Sequence, residues 1–359
     1  MKVAFIVRST LYSVHGGDTI QVNETARHLQ QTGIAVDIKR TNEKISYESY
    51  DLLHFFNIIR PADILVHINR SKKPFVVSTI FINYSEYDKR ERRGVSGALL
   101  SLFPADGIEY LKTVLRWLTG KDKLVSTAYL WMGHRRSIKT ILSRAREILV
   151  QAEEEYTDLV KAYGIAPAHT VIHNGVNTAV FRKPAIIPER ENNLVLCVAR
   201  IEGIKNQYNL IRALNDTAYR LLLIGNSAPN QQSYYRQCRE IAAGNVSFID
   251  HLPQKELARY YAAARVHVLP SWFEVCGLSS LEAAAMGCRV VITGKGYARS
   301  YFREQAFYCD PANPETILHA VEEAARSTMN GELQHQVLQH YTWQVAAEKT
   351  VSVYKKHLA

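Results

Sequence analysis

The five cysteines of this 359-residue sequence (Cys197, Cys238, Cys276, Cys288 and Cys309) form no C-x-x-C pair, and their number is odd. That pattern argues against both a disulfide framework and a zinc site, and it fits a reducing, cytoplasmic setting. No stretch approaches the roughly 18 apolar residues of a spanning helix. The apolar run at residues 3–7 is too short for the core of a secretory signal. A chain neither exported nor membrane-spanning is the expectation. Low-complexity tracts and short repeats are missing as well. Hydrophobic residues make up 47 % of the chain and charged residues 22 %. Those shares are ordinary for soluble globular proteins and supply enough apolar material for real cores. At roughly 100–200 residues per domain, the length suits two domains.

Acidic residues are scarce in one segment. Between Lys89 and Arg146 there are thirteen basic residues against four acidic ones, in a chain whose formal net charge is +10. Composition alone leaves nucleic acid, an anionic membrane and an acidic ligand open as partners. The segment interleaves its charge with Leu99-Leu100, Leu102-Phe103, Trp117-Leu118 and Tyr129-Leu130-Trp131-Met132. From Ile108 to Leu118 the apolar residues Ile108, Leu111, Val114, Leu115 and Leu118 recur at three- and four-residue steps. Lys112 and Arg116 fall near the polar side, and Trp117 falls close to the boundary. This is the pattern of an interfacial amphipathic helix at an anionic membrane surface. A helix packed on its own sheet with a solvated basic face would show the same stripe.

Elsewhere the grammar is strand, loop, helix. Residues 3–7 precede Gly16-Gly17 and a helical pattern that stops at Gly33. Further β-rich runs lie at 35–39, 52–56, 75–79, 148–151 and 170–173, then at 194–198, 221–224, 246–249, 266–269 and 290–293. Helical segments alternate with them, for example at 153–163, 207–214 and 254–264. Short, near-continuous apolar strands between amphipathic helices call for parallel sheets covered on both faces. An α/β protein of two doubly wound domains is expected, with the boundary in the polar, proline-bearing stretch 182–193.

Chemistry concentrates in the window Ser271-Trp272-Phe273-Glu274-Val275-Cys276-Gly277-Leu278-Ser279-Ser280-Leu281-Glu282, which follows a strand and opens a helix. In open α/β sheets, ligands bind beyond the carboxyl ends of the strands, and a helix N-terminus offers unpaired N–H groups to an anion. Gly277 permits close approach of a phosphate to the backbone. Ser279-x-x-Glu282 by itself reads more readily as a capping box than as a ligand site. A second element, Arg200-Ile201-Glu202-Gly203-Ile204-Lys205, sets two cations beside the first strand end of the same domain. Cations, glycine and helix N-terminus together describe a diphosphate site.

With these elements in view, the chain resembles the retaining glycosyltransferase family four, of the two-domain GT-B architecture. The pair Glu274-x7-Glu282 matches that family's signature, and Arg200 with Lys205 matches its R-x4-K element. His173-Asn174-Gly175-Val176, Leu223-Ile224-Gly225, Gly287-Cys288-Arg289-Val290-Val291 and Thr342-Trp343 match in order along the chain. The resemblance implies two Rossmann-like domains facing across a cleft. Residues 1–181 would form the acceptor side and residues 182–341 the donor side, with a C-terminal helix at about 342–359 packing back on the first domain. It implies that Arg200 and Lys205 hold the donor diphosphate, and that amides at Cys276, Gly277 and Leu278 cradle its β-phosphate. Glu282 would grip the ribose and Glu274 the donor sugar. Gly16 and Gly17 would approach the phosphates, and Asn226 would lie near the base.

Arg200, Lys205 and Glu274 are thus the catalytic candidates. The implied reaction is sugar transfer, with retention, from a UDP- or GDP-linked donor to a hydroxyl on a lipid-linked or cell-surface glycan precursor. Front-face attack is implied, without an enzymic nucleophile. Asp-x-Asp, the metal clamp of the other main glycosyltransferase fold, does not occur, so no metal and no cofactor are expected. Family members often place a histidine after the fourth N-terminal strand, whereas this chain reads Ser78-Thr79-Ile80-Phe81; the nearest motif histidine is His173. Rival readings are a GT-B nucleotide-sugar epimerase, separable by incubation with donor alone, and a catalytically silent nucleotide-sugar binder or membrane scaffold, separable by a hydrolysis assay. Nucleic-acid binding rests only on the basic segment and is not expected.

Overall fold

The computed structural model describes residues 1–82, 87, 105–120, 126–182, 190–229, 231–328 and 331–358. Lys89, Arg90, Arg92, Arg93, Lys121 and Lys123 of the basic segment, its apolar pairs Leu99-Leu100 and Leu102-Phe103, and most of the stretch 182–193 lie outside the described residues. The chain divides into two compact units. One comprises the described residues of Met1–Ser85, Arg92–Asn174 and Trp343–Ala359; the other comprises those of Glu86–Glu91 and Gly175–Thr342.

Every apolar run read from the sequence is a strand. In the first unit β1 (Lys2–Val7), β2 (Ala35–Arg40), β3 (Leu52–Phe56), β4 (Phe75–Ser78), β5 (Glu147–Val150) and β6 (His169–Val171) form one sheet in the order β2-β1-β3-β4-β5-β6. All its pairings are parallel. In the second unit β7 (Glu191–Val198), β8 (Arg220–Ile224), β9 (Val246–Ile249), β10 (Ala264–Leu269), β11 (Arg289–Thr293) and β12 (Phe307–Cys309) run parallel in the order β12-β11-β10-β7-β8-β9. The edge strand β12 has only three residues, too few for a periodicity to mark it in the sequence.

The apolar strands are buried on both faces by helices, as parallel sheets require. Alternate residues of β7 and β8 show it: Leu194, Leu196, Leu222 and Ile224 join one core. Val195, Cys197, Leu221 and Leu223 join the core on the opposite face, following the two-residue period of a strand. The long stretch of the second unit starts at Gly175, whereas the start expected from the sequence is residue 182. Val176 and Phe181 are already buried in that unit's core, and Val176 bridges to Thr342.

The C-terminal helix Trp343–Leu358 belongs to the first unit. Two polar networks fasten it there. The Tyr354 hydroxyl lies 2.5 Å from His54 Nδ1, and His54 Nε2 lies 2.9 Å from Ser78 Oγ. Burial pushes the His54 imidazole down to about 3, so it stays neutral. Glu147, wholly buried, is met by Lys356 Nζ at 2.8 Å and His357 Nε2 at 2.7 Å. These contacts answer the rule that a buried charge needs a partner.

Candidate functional site

In the second unit the chain lays β7, β8 and β9 outward in one direction, then returns to lay β10, β11 and β12 in the other. The reversal falls between β7 and β10, and the crevice outside their carboxyl ends is where doubly wound sheets bind ligands. The Arg200-to-Lys205 loop follows β7, and the Glu274 loop follows β10.

Backbone and amide bonds stitch these two loops together. Asn206, buried and at φ +60°, donates from Nδ2 to the carbonyls of Pro270 at 3.1 Å and Pro311 at 2.7 Å. Trp272 N–H donates to the Ile204 carbonyl at 2.9 Å. The result brings Lys205 Nζ to 2.5 Å from Glu274 Oε1. Burial alone would lower the Lys205 pKa, but the Glu274 carboxylate more than offsets this and holds it above the ordinary lysine value. Lys205 is therefore a cation at any working pH. Arg200 Nη2 pairs with Glu202 Oε1 at 2.8 Å.

Glu274 is 7 % exposed, and its backbone is held from the far side. Its N–H donates to the Lys295 carbonyl at 3.2 Å, and its carbonyl accepts from Tyr297 N–H at 2.8 Å. Gly296 sits between these bonds at φ +92°, and a Cβ there would fall 2.2 Å from the Glu274 carbonyl oxygen. Only glycine fits that approach. Sequence reading missed this turn, although two glycines, Gly294 and Gly296, straight after a strand were the available signal.

Gly277 caps the helix Leu278–Ala285 at φ +64°, with no side-chain cap bond. The helix starts before Ser279, so the capping-box alternative for Ser279 and Glu282 does not describe it. Glu282 instead accepts from Tyr261 O–H at 3.1 Å and Gln254 Nε2 at 3.4 Å. Burial, with Glu282 beside it, holds the Tyr261 phenol well above its usual pKa and keeps it a donor. Tyr261 carried no sequence signal beyond its helix pattern. Cys276 is buried and Leu278 begins the helix, so the backbone from Cys276 to Leu278 forms the helix mouth. Asn226 is exposed beyond β8, with Oδ1 accepting from His251 N–H at 3.0 Å and its carbonyl accepting from Ile201 N–H at 3.0 Å.

Gly16 and Gly17 belong to the first unit, at the start of the helix Gly17–Gln31. Arg8 and Asp18, which the sequence reading passed over, organise their loop: Arg8 meets Asp18 at 2.6 and 3.0 Å and also bonds the Thr10 and Val14 carbonyls. At the end of β4, where a family histidine was looked for, Thr79 Oγ1 and Phe81 N–H donate to one oxygen of Glu155 while Gln151 N–H donates to the other. Glu155 is fully buried, which pushes its carboxyl up to about 7, and Ile80 between its partners takes φ +47°. Among the described residues no three His, Cys, Asp or Glu side chains gather into a metal-holding group.

The family described as glycosyl transferases group 1 matches residues 181–339. Residues 181–339 are thus similar to a group 1 glycosyltransferase domain. Arg200, Lys205, Asn226, Cys276, Gly277, Leu278, Glu274 and Glu282 all fall inside it. The chain is similar to the D-inositol 3-phosphate glycosyltransferase of Acidothermus cellulolyticus, 25 % identical over 61 % of this chain and 55 % of that protein. It is also similar to the MMP alpha-(1->4)-mannosyltransferase of Mycolicibacterium hassiacum, 24 % identical over 64 % of this chain and 58 % of that one. The chain thus spans little more than half the length of these relatives. Among solved structures it resembles sucrose-phosphate synthase from Thermosynechococcus elongatus, with TM-score 0.75 at 18 % identity over 99 % of this chain and 98 % of that one. It also resembles Anabaena HepE in complex with UDP-glucose, with TM-score 0.72 at 14 % identity over 99 % and 100 %. Those likenesses show the fold: GT-B, with two Rossmann-like parallel sheets.

Proposed function

We propose that this protein is a retaining, metal-independent glycosyltransferase that moves a sugar from a nucleoside diphosphate to an acceptor hydroxyl. The observation that carries the reading is the meeting of Arg200, Lys205, Glu274 and a helix N-terminus at the sheet reversal, inside the stretch matched by the group 1 family. In the reaction the bond between the anomeric carbon and the diphosphate oxygen breaks, and a bond from that carbon to the acceptor oxygen forms. Negative charge grows on the departing diphosphate, where Arg200, Lys205 and the amides from Cys276 to Leu278 stabilise it. The acceptor proton passes to a departing phosphate oxygen, so no enzymic nucleophile is required. Glu274 orients the donor sugar and Glu282 the ribose, while Gly16 and Gly17 approach the phosphates and Asn226 the base.

A UDP or GDP donor suits the site, and the UDP-glucose bound to the similar HepE protein supports the former. The acceptor belongs to a lipid-linked or cell-surface glycan precursor at the inner face of an anionic membrane. Support comes from the helices Ala105–Leu118 and Ala128–Arg144, which expose Leu115, Trp117, Leu118 and Trp131 beside basic residues. No described helix is long and apolar enough to cross a membrane, so attachment would be peripheral.

A panel of UDP-, GDP- and ADP-sugars tests the core of this reading. The matching donor at about a hundred times its Kd should stabilise the fold by roughly 2.7 kcal/mol, seen as a raised Tm. Transfer should survive excess chelator, because the sequence has no Asp-x-Asp to hold a metal. A panel in which no nucleotide sugar shifts Tm overturns the donor assignment, and activity lost to chelator and restored by Mg²⁺ or Mn²⁺ overturns metal independence. Within the same reading, Glu282→Ala should weaken donor binding by about ten- to a hundredfold, the range for losing hydrogen bonds to a charged group. Tyr261→Phe, which removes only the bond that orients Glu282, should cost less. A donor KM unchanged in Glu282→Ala would remove Glu282 from the ribose.

A further inference from the structure

The four charges around the proposed diphosphate clamp cancel. Lys205 faces Glu274 at 2.5 Å and Arg200 faces Glu202 at 2.8 Å, and the Lys205 ammonium feels Glu202 and Arg200 as well as Glu274. A site that must attract a diphosphate gains nothing from neutrality, so each carboxylate needs a reason to be there. Glu274 has one in the donor sugar. Glu202 has none in that reading: it lies two residues along the same loop, is largely shielded, and directs its carboxylate to the guanidinium assigned to the phosphates. Nothing about holding the loop demands an acid at this position either. The loop is fixed by Asn206 and by backbone bonds, including Lys205 N–H to the Glu202 carbonyl at 2.9 Å.

We propose that Glu202 is a built-in competitor for the diphosphate, holding Arg200 in position between turnovers and helping to expel the nucleoside diphosphate once the sugar has left it. This rests on the donor assignment above. The chemistry is an exchange of one anionic partner of Arg200 for another. After transfer the product bears more negative charge than the donor, and it would bind too well to a clamp in which Arg200 had no competing anion and the net charge was +1. Glu202 offers Arg200 a tethered carboxylate that lowers product affinity while leaving the cations in reach of the transition state. A turnover limited by product release benefits from such a device.

The test is binding of UDP, GDP and ADP, with the matching nucleoside as a control, to the wild-type protein and to Glu202→Gln and Glu202→Ala. Removing one negative charge a few ångströms from the phosphates should tighten the diphosphate by about tenfold at low salt, with a smaller gain at high salt. Nucleoside affinity should stay unchanged, and product inhibition should strengthen in parallel with diphosphate affinity. Two variants of different size keep the result independent of how either one packs. Diphosphate affinity that is unchanged or weaker in both variants overturns the proposal and leaves Glu202 as a support for the Arg200 side chain. A wild-type protein that binds none of the three diphosphates overturns the donor assignment itself, and this inference with it.

Discussion

Lys205→Ala should slow transfer by about a hundredfold or more, the scale seen when one preorganised donor to a developing negative charge is removed. Two separate losses follow from the geometry. Charge growing on the diphosphate loses a cation that the fold holds in place through Asn206, Pro270 and Pro311. Glu274, 7 % exposed, also loses its partner at 2.5 Å, and a carboxylate left buried without a cation is costly. Lys205→Ala should therefore lower stability as well as rate, and the rate must be measured on protein shown to be folded at the assay temperature. Arg200→Ala separates the two effects. Its carboxylate partner, Glu202, lies on the same loop rather than in the turn that fixes Glu274, so the rate should fall by a similar factor with a smaller change in Tm. A folded Lys205→Ala or Arg200→Ala protein that transfers sugar at the wild-type rate would remove the diphosphate clamp from the mechanism.

The elements that carried the site were legible because they obey local rules. Parallel strands buried on both faces show as apolar runs, and the loops after them show as glycine and charge. Spacing singled out Arg200, Lys205, Glu274 and Glu282, and their roles toward a donor rest on the family resemblance. Three kinds of feature escaped. Glu202 lay inside a recognised element and drew no reading of its own, because its pairing is a distance of 2.8 Å to Arg200 that no periodicity encodes. Gly296 acts through a backbone approach from a different strand end, some twenty residues beyond Glu274. At the end of β4 the sequence showed only that a histidine was missing. What stands there is Glu155, brought from the helix Glu153–Tyr163 to gather three donors from residues 79, 81 and 151. Long-range pairings of this kind depend on strand order, which short-range pattern does not reveal.

Vesicles rich in anionic lipid should bind the protein reversibly at low salt and release it as salt is raised. The helix Ala105–Leu118 is the reason. Its apolar stripe does not enter the first unit's core: among the described residues Tyr110 packs against that core, whereas Ile108, Leu111 and Val114 stay half-buried and Leu118 is 66 % exposed. Tyr110 O–H donates to the Leu130 carbonyl at 3.0 Å, which joins this helix to the next. There Gly133, at φ +69° and ψ 174°, breaks the helical path just after Trp131, and that indole is 88 % exposed. Two tryptophans and two leucines in water, flanked by Arg136 and Lys139, suit the boundary between headgroups and acyl chains, where an amphipathic ring and a basic side chain are both favoured. At on the order of 1 kcal/mol per basic residue near an anionic leaflet, Arg136→Glu with Lys139→Glu should weaken vesicle binding by tenfold or more. Trp117→Ala with Trp131→Ala should weaken it comparably by removing the apolar part, and should do so with little change in salt dependence. Both pairs should lower transfer to a membrane-embedded acceptor far more than transfer to a short soluble one, because all four residues lie outside the matched stretch 181–339 that holds the proposed donor site. Binding absent at low salt, or unaffected by both pairs, would mean that these helices meet only water and that the acceptor reaches the enzyme without a shared surface.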